Sequence, residues 1–391
     1  MRNPHRDKLS NLFYHKARFQ SNEIKDEKFV LCIMKQLKKH KKYAKIILLK
    51  CRGGIAQLAE RLNGIQEVAG STPTISTIKV PVSHVIGNFF YILAMSKYIY
   101  DKQLIIKAKP FFIKSLLPFA NAIIKTLPKG LDKKRVVYKK NHINGFNVHS
   151  ITPVAKENIN ERLPCLIYIH GGGFGYKESF VQYKCEQEYA DKANCLVFGI
   201  DYPLLPKNVY PAAIKCVTEV YNYVTEHSDE FNIDVTKIAI GGDSAGALLA
   251  TELAFNLNGS DKIKPVALML IYPVVDGKDR ESMLKYKKVP LWNPACNKKM
   301  WKWYLNGAEF TSPIDRKNKP ELCNLFIETE QYDCLHDEGI ALFNSLSPQC
   351  KNAVLIDNKG TFHGYDINFN AEIVKSSIEK RIDFLKKAFT K

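Results

Sequence analysis

Short apolar, β-branched runs alternate with longer stretches of helical period from about residue 160 onward. Leu166-Ile167-Tyr168-Ile169, Cys195 to Ile200, Thr236 to Ile240, Val266 to Ile271 and Leu325 to Glu330 are each too short for a helix and read as buried strands, and Ala353 to Ile356 reads as the last core strand. Between them lie a predicted helix from about Ala212 to Glu226 and the good helix former Ala247 to Ala254, and helical character begins again at Asp337-Glu338-Gly339-Ile340. Strands that alternate with helices predict a mostly parallel sheet covered by helices, an α/β fold. No internal repeat is visible. The alternation breaks between Asp276 and Pro320, a lysine-rich segment that holds Trp292, Trp301, Trp303 and Tyr304. These rings either form part of a lid facing an acyl chain or pack their helix onto the core.

Two glycine motifs follow directly on predicted strands. Gly242-Asp243-Ser244-Ala245-Gly246 stands between a β-branched run and a helix, so the chain must turn sharply at Ser244. Such a turn strains the nucleophile position, presses its neighbours together and gives Gly242 and Gly246 a steric reason to lack side chains. The hydroxyl then lies beside a helix N-terminus, whose free amides favour developing negative charge. His170-Gly171-Gly172-Gly173-Phe174 follows the Leu166 run, and a loop without side chains lets amides approach a substrate oxygen. Gly172 and Gly173, with the amide of Ala245, are the expected oxyanion hole. A phosphate-binding loop is disfavoured because neither a Gly-Lys-Ser/Thr ending nor Gly-x-Gly-x-x-Gly is present.

A serine hydroxyl needs a base to take its proton and a carboxylate to orient that base. His363, in the loop Thr361-Phe362-His363-Gly364-Tyr365, and Asp333, at the end of the Leu325 run, complete the order Ser, Asp, His expected along a parallel sheet edge. His170 is read as holding the glycine loop in shape. Asp337 and Glu338 are read as helix-start carboxylates acting through the dipole, and His336 as a surface residue. The base must be neutral to act, so activity is expected to fall as pH drops through the histidine range.

These motifs, with Asp201-Tyr202, Tyr210-Pro211-Ala212-Ala213, Ser312-Pro313, Tyr332 to Gly339 and Phe362-His363-Gly364-Tyr365, resemble the bacterial esterases similar to hormone-sensitive lipase, a branch of the α/β-hydrolase superfamily. The resemblance runs from about Met95 to the C-terminus. It implies a mostly parallel twisted sheet flanked by helices, with a small helical lid built from about residues 95–130 and 277–320. It also implies Ser244, Asp333 and His363 as a catalytic triad, and hydrolysis of short or medium acyl esters through an acyl-enzyme with no metal or organic cofactor. Pro203, Lys207, Ala247 and Cys334 depart from the family's usual Arg, acidic residue, second glycine and proline, which bears on acyl or alcohol preference rather than on the triad. Related plant hormone receptors lack the catalytic histidine, whereas His363 is present here. An amidase or deacetylase on the same site, and a non-catalytic ligand-binding protein, are the alternative readings.

Charge is unevenly placed. Of the formal +19, the first 94 residues hold 17 Lys or Arg against 6 Asp or Glu. A basic arm suits nucleic acid or an anionic membrane, yet the apolar stretch Val80 to Ala94 is shorter than the ~20 residues of a spanning helix. Gly54 to Pro73 resembles the conceptual translation of a transfer-RNA gene, so residues 1–94 are expected not to form a folded domain and the start is expected at Met95. The expected partner is therefore a small-molecule ester, with no nucleic acid and no stable membrane insertion. Ten cysteines are scattered singly, without Cys-x-x-Cys or a Cys/His cluster, which argues against zinc and for free thiols in a reducing, cytoplasmic compartment. No secretion signal follows Met1.

Overall fold

The alternating pattern folds into eight strands that join one sheet in the order β1-β2-β4-β3-β5-β6-β7-β8. The structure, a computed structural model, describes residues 98–104, 110–157 and 161–390. The expectations for residues 1–94, including the start at Met95 and the Val80 stretch, lie outside the described residues. The strands are β1 (Val136–Ile143), β2 (Phe146–Pro153), β3 (Leu163–Ile169), β4 (Leu196–Asp201), β5 (Ile233–Asp243), β6 (Ala267–Ile271), β7 (Leu322–Glu330) and β8 (Cys350–Asn358). From β4 through β8 neighbouring strands are parallel, while β1 and β2 add an antiparallel edge. Asn144 and Gly145, at φ 48° and 86°, close the β1–β2 hairpin with the positive dihedrals that a two-residue turn demands.

The central strands are buried on both faces, which is why they read as continuous apolar runs rather than as alternation. Cys165, Ile167 and Ile169 of β3 join one core, and Leu166 and Tyr168 join the other. The first core is covered by α3 (Ala212–Glu226) and α4 (Ala245–Leu257), with α7 (His336–Leu346) alongside. The second lies under α2 (Phe180–Ala193) and α8 (Glu372–Phe389). α1 (Leu117–Ile124), α5 (Glu281–Lys285) and α6 (Pro294–Leu305) complete the described α-helices. α8 buries Val374, Ile378, Ile382 and Leu385 at helical spacing, and among them Arg381, whose guanidinium donates to both oxygens of Glu328 on β7. Removing one partner of so buried a pair typically costs about 3–5 kcal/mol.

The predicted helix over 212–226 matches α3 residue for residue. The predicted last core strand is corrected. β8 is an edge strand, with Val354 37% exposed, and its apolar run covers only one side of β7.

Candidate active site

β5 ends at Asp243 and α4 begins at Ala245, so Ser244 is the whole turn. Its φ of 52° and ψ of −116° lie in a region that costs a non-glycine residue on the order of 1–3 kcal/mol. Two bonds from the adjacent strand end hold it there: Ser244 N donates to Ile271 O at 2.9 Å, and Val274 N donates to Ser244 O at 3.1 Å. The turn presses against the end of β3. A Cβ on Gly246 would stand 1.9 Å from Ile169 O, and one on Gly242 would meet the Gly246 carbonyl carbon at 2.6 Å. No side chain fits at either position.

The structure brings Ser244, His363 and Asp333 together from three separate loops. Ser244 Oγ lies 2.8 Å from His363 Nε2, and His363 Nδ1 lies 2.7 Å from Asp333 Oδ2. Asp333 Oδ1 accepts from Leu335 N at 2.9 Å, so both of its oxygens are engaged. The loops of Asp333 and His363 are tied by Tyr332 N donating to Thr361 O at 2.9 Å and Gln331 N to Asn358 O at 3.0 Å. All three side chains are buried, with Ser244 5% and His363 6% exposed, so the hydroxyl meets little competing water.

The glycine loop lies against the same turn. Gly171 N donates to Asp243 Oδ1 at 3.0 Å, and Tyr168 and Gln182 also donate to that carboxylate. Burial, followed by the charge of Asp366, pushes the Asp243 carboxyl up to about 6. His170 Nδ1 donates to Gly171 O at 2.7 Å while its ring stacks on Tyr202, whose hydroxyl donates to His170 O. Burial lowers His170 to about 4, which keeps the ring neutral. Gly172 and Gly173 take φ of 107° and 60°, and among the described residues their amides and that of Ala245 donate to no protein group.

A family model described as the alpha/beta hydrolase fold matches residues 166–367, just over half the chain. The chain belongs to the α/β-hydrolase fold family. A relative named acetyl esterase from Salmonella paratyphi A is 30% identical over 219 residues, which is 51% of this chain and 64% of that protein. The chain thus spans less than two thirds of the length of such relatives. The esterase LipW from Mycobacterium marinum shares the fold at a TM-score of 0.67 and 21% identity, over 75% of this chain and 97% of that one. An esterase of the bacterial hormone-sensitive lipase family has a TM-score of 0.62 at 21% identity, over 80% of this chain and all of its own.

Within this hydrolase fold several expectations are refined. Asp337 and Glu338 do more than face a helix dipole: Glu338 is buried and accepts from Val275 N at 2.9 Å and Gly277 N at 3.2 Å, and Asp337 accepts from Ser282 N at 2.7 Å. They pin the segment after β6 to α7. His336 is half-buried rather than a plain surface residue, with its ring nitrogens near Asp337 and Asp357. The tryptophans divide between the two readings. Trp292 faces the site, 6.2 Å from the His363 ring and so close to the loop that a Cβ on Gly173 would stand 2.7 Å from its Cη2. Trp301 packs on Gly277 and Phe310, while Trp303 stacks on Phe112 from the segment before α1. Among the described residues no helix is long and apolar enough to cross a membrane.

Sequence reasoning missed Tyr272 and Asp366. The Tyr272 ring lies 4.8 Å from that of His363, and its hydroxyl donates to Asp366 at 2.8 Å. The position of Tyr272 immediately after an apolar strand was the available signal. Nothing in the spacing tied it to Asp366, 94 residues away.

Proposed function

We propose that the protein is a serine hydrolase that cleaves carboxylic esters of short to medium acyl chains through an acyl-enzyme. The observation that carries this reading is the continuous chain from Ser244 Oγ through His363 to Asp333, with bonds of 2.8 and 2.7 Å. As Ser244 Oγ attacks the ester carbonyl carbon, its proton passes to His363 Nε2, and Asp333 steadies the imidazolium through Nδ1–H. The amides of Gly172, Gly173 and Ala245 receive the oxyanion; one such donor is worth about 10²- to 10³-fold in turnover. Collapse of the intermediate breaks the bond to the alcohol oxygen, which leaves with the proton from Nε2. Water then gives its own proton to His363, attacks the acyl-serine and releases the acid while Ser244 recovers its proton. His170, Gly171, Gly242, Asp243 and Gly246 shape the loops around this path rather than react.

Trp292 stands as an apolar wall beside His363 and Gly173, which favours a small acyl group, and relatives named acetyl esterase make acetate the first acyl group to test. A fluorophosphonate should label the protein at Ser244, with labelling lost in Ser244→Ala. p-Nitrophenyl esters should turn over faster than the matching anilides, with rates declining along the acyl series. Labelling that survives Ser244→Ala overturns the nucleophile. Faster anilide turnover transfers the site to an amidase.

A further inference from the structure

A second buried grouping of imidazole and carboxylates lies on the other side of the sheet's antiparallel edge, in a place the proposed reaction does not use. His149 comes from β2, Glu178 from the loop after the glycine motif, and Glu186 from α2. One ligand atom from each lies within 4.8 Å of the others. His149 Nε2 is 2.7 Å from Glu186 Oε2, and His149 Nδ1 is 3.6 Å from Glu178 Oε2. The side chains are 6%, 7% and 0% exposed in chain order.

Two further observations, the unpartnered oxygens and the space over Gly199, point to something held there. Among the described residues no group donates to Glu178 Oε1 or Glu186 Oε1, although both oxygens are buried. An orphaned buried carboxylate oxygen is costly, and here one stands on each of two neighbouring carboxyls. The chain also clears space for the grouping. A Cβ on Gly199, in the middle of β4, would stand 2.3 Å from His149 Nε2 and 2.8 Å from Glu186 Oε1, so two donor atoms converge over a strand glycine that otherwise weakens the sheet. Lys129 reaches the grouping only through Tyr183, whose hydroxyl accepts from Lys129 Nζ at 3.0 Å and is hydrogen-bonded to Glu178, and among the described residues no lysine or arginine nitrogen lies within 4.0 Å of either carboxyl. A cleft of about 370 Å³ opens onto His149 and Glu178, with Asp201, Lys125, Lys129, Lys140 and Lys177 also on its wall.

We propose that His149, Glu178 and Glu186 bind one divalent cation of the Zn²⁺ or Mn²⁺ class, which ties β2, α2 and the loop following the glycine motif into one unit. An imidazole with two carboxylates suits those borderline ions better than Ca²⁺, which takes six or more oxygens. The ion's role is structural. Glu178 stands five residues beyond Gly173, and Ser179 caps α2 beside it, so clamping Glu178 braces the base of the glycine loop. The competing occupant is a single proton shared between the two carboxyls.

The full-length chain, stripped with a chelator and dialysed, is titrated with ZnCl₂ and with MnCl₂ by calorimetry, and its thermal unfolding is followed with and without each ion. The expected result is about one ion per chain and a raised Tm for one of the two ions. Glu186→Gln, and separately Glu178→Gln, keep the side-chain shape and should weaken binding on the order of 100-fold. A Co²⁺-loaded sample should show a visible absorption band that is lost in His149→Gln. Absence of one-to-one binding overturns the proposal in favour of the shared proton, as does equal binding by both glutamine variants. Ser244 is intact throughout, so failure here leaves the hydrolase reading standing.

Discussion

Among the described residues two groupings of imidazole and carboxylate are buried, and the protein completes only one of them with its own atoms. At His363 each ring nitrogen has a partner, and Asp333 uses both oxygens, one on the ring and one on Leu335 N. At His149 the ring also meets carboxylates, yet Glu178 and Glu186 each leave an oxygen without a donor. In a low dielectric this difference decides what a cluster does. A closed set of hydrogen bonds fixes one tautomer and one direction for proton movement, and it ends on a hydroxyl. An open set of lone pairs asks for a positive charge. Composition alone does not distinguish a relay from a binding site; the count of donors does.

The comparison breaks most sharply at the carboxylates. Asp333→Asn removes the acceptor that holds Nδ1–H, so kcat should fall on the order of 10⁴-fold, while the far-ultraviolet circular dichroism stays that of the parent. Glu186→Gln, tested with the same ester, should leave kcat within a few-fold. A loss of similar size in both variants would mean that the second grouping reaches the reaction, and the contrast drawn above would fail.

The reason one grouping was legible and the other was not lies in what surrounds each residue. Ser244 announces itself because a strand-to-helix turn this tight forces glycines at 242 and 246, where a Cβ would meet backbone at 2.6 and 1.9 Å. His363 and Asp333 follow in the order that a parallel sheet imposes on its edge loops, so the topology leaves its trace in the sequence. His149, Glu178 and Glu186 lie on a strand, a loop and a helix with no motif spacing, and only Gly199 marks them, from a fourth element. The same holds for Arg381 and Glu328. A charged residue on an amphipathic helix reads as solvent-facing, and its burial depends on a partner 53 residues away. β8 misled for a related reason: β-branched character signals a strand but not whether the strand has neighbours on both sides.

Gly199→Ala sharpens the contrast from the side of space rather than charge. Its Cβ would stand 2.1 Å from His149 Cε1, so the ring must move and β4 must accept strain. Destabilisation by about 1–3 kcal/mol is expected from overpacking of this kind, read as a lowered midpoint in urea unfolding. The folded fraction should keep kcat on the same ester within a few-fold while losing the proposed cation. Unchanged stability would show that the imidazole has a second resting place, and the glycine would then say nothing about the grouping beside it.

The smallest effect concerns Asp243, which stands between the two cases. It is buried like Glu186 but accepts from Gly171 N, Tyr168 and Gln182, and still burial holds its carboxyl at about 6 against an ordinary value of 3.8. Between those two values the native state keeps a proton that the unfolded chain has released. The native state therefore binds more protons there, so this group's contribution to stability is full below the ordinary value of 3.8, is lost as pH rises from there through about 6, and is flat above it. Asp243→Asn cannot titrate. The stability of the parent relative to Asp243→Asn should accordingly fall by roughly 1 kcal/mol from pH 5 to pH 7, a shift of a few degrees in the difference between their Tm values. A difference that stays constant over this range would mean that the three donors outweigh burial and keep Asp243 ionised throughout. Donor count alone would then separate the satisfied carboxylates from the two glutamates that lack donors.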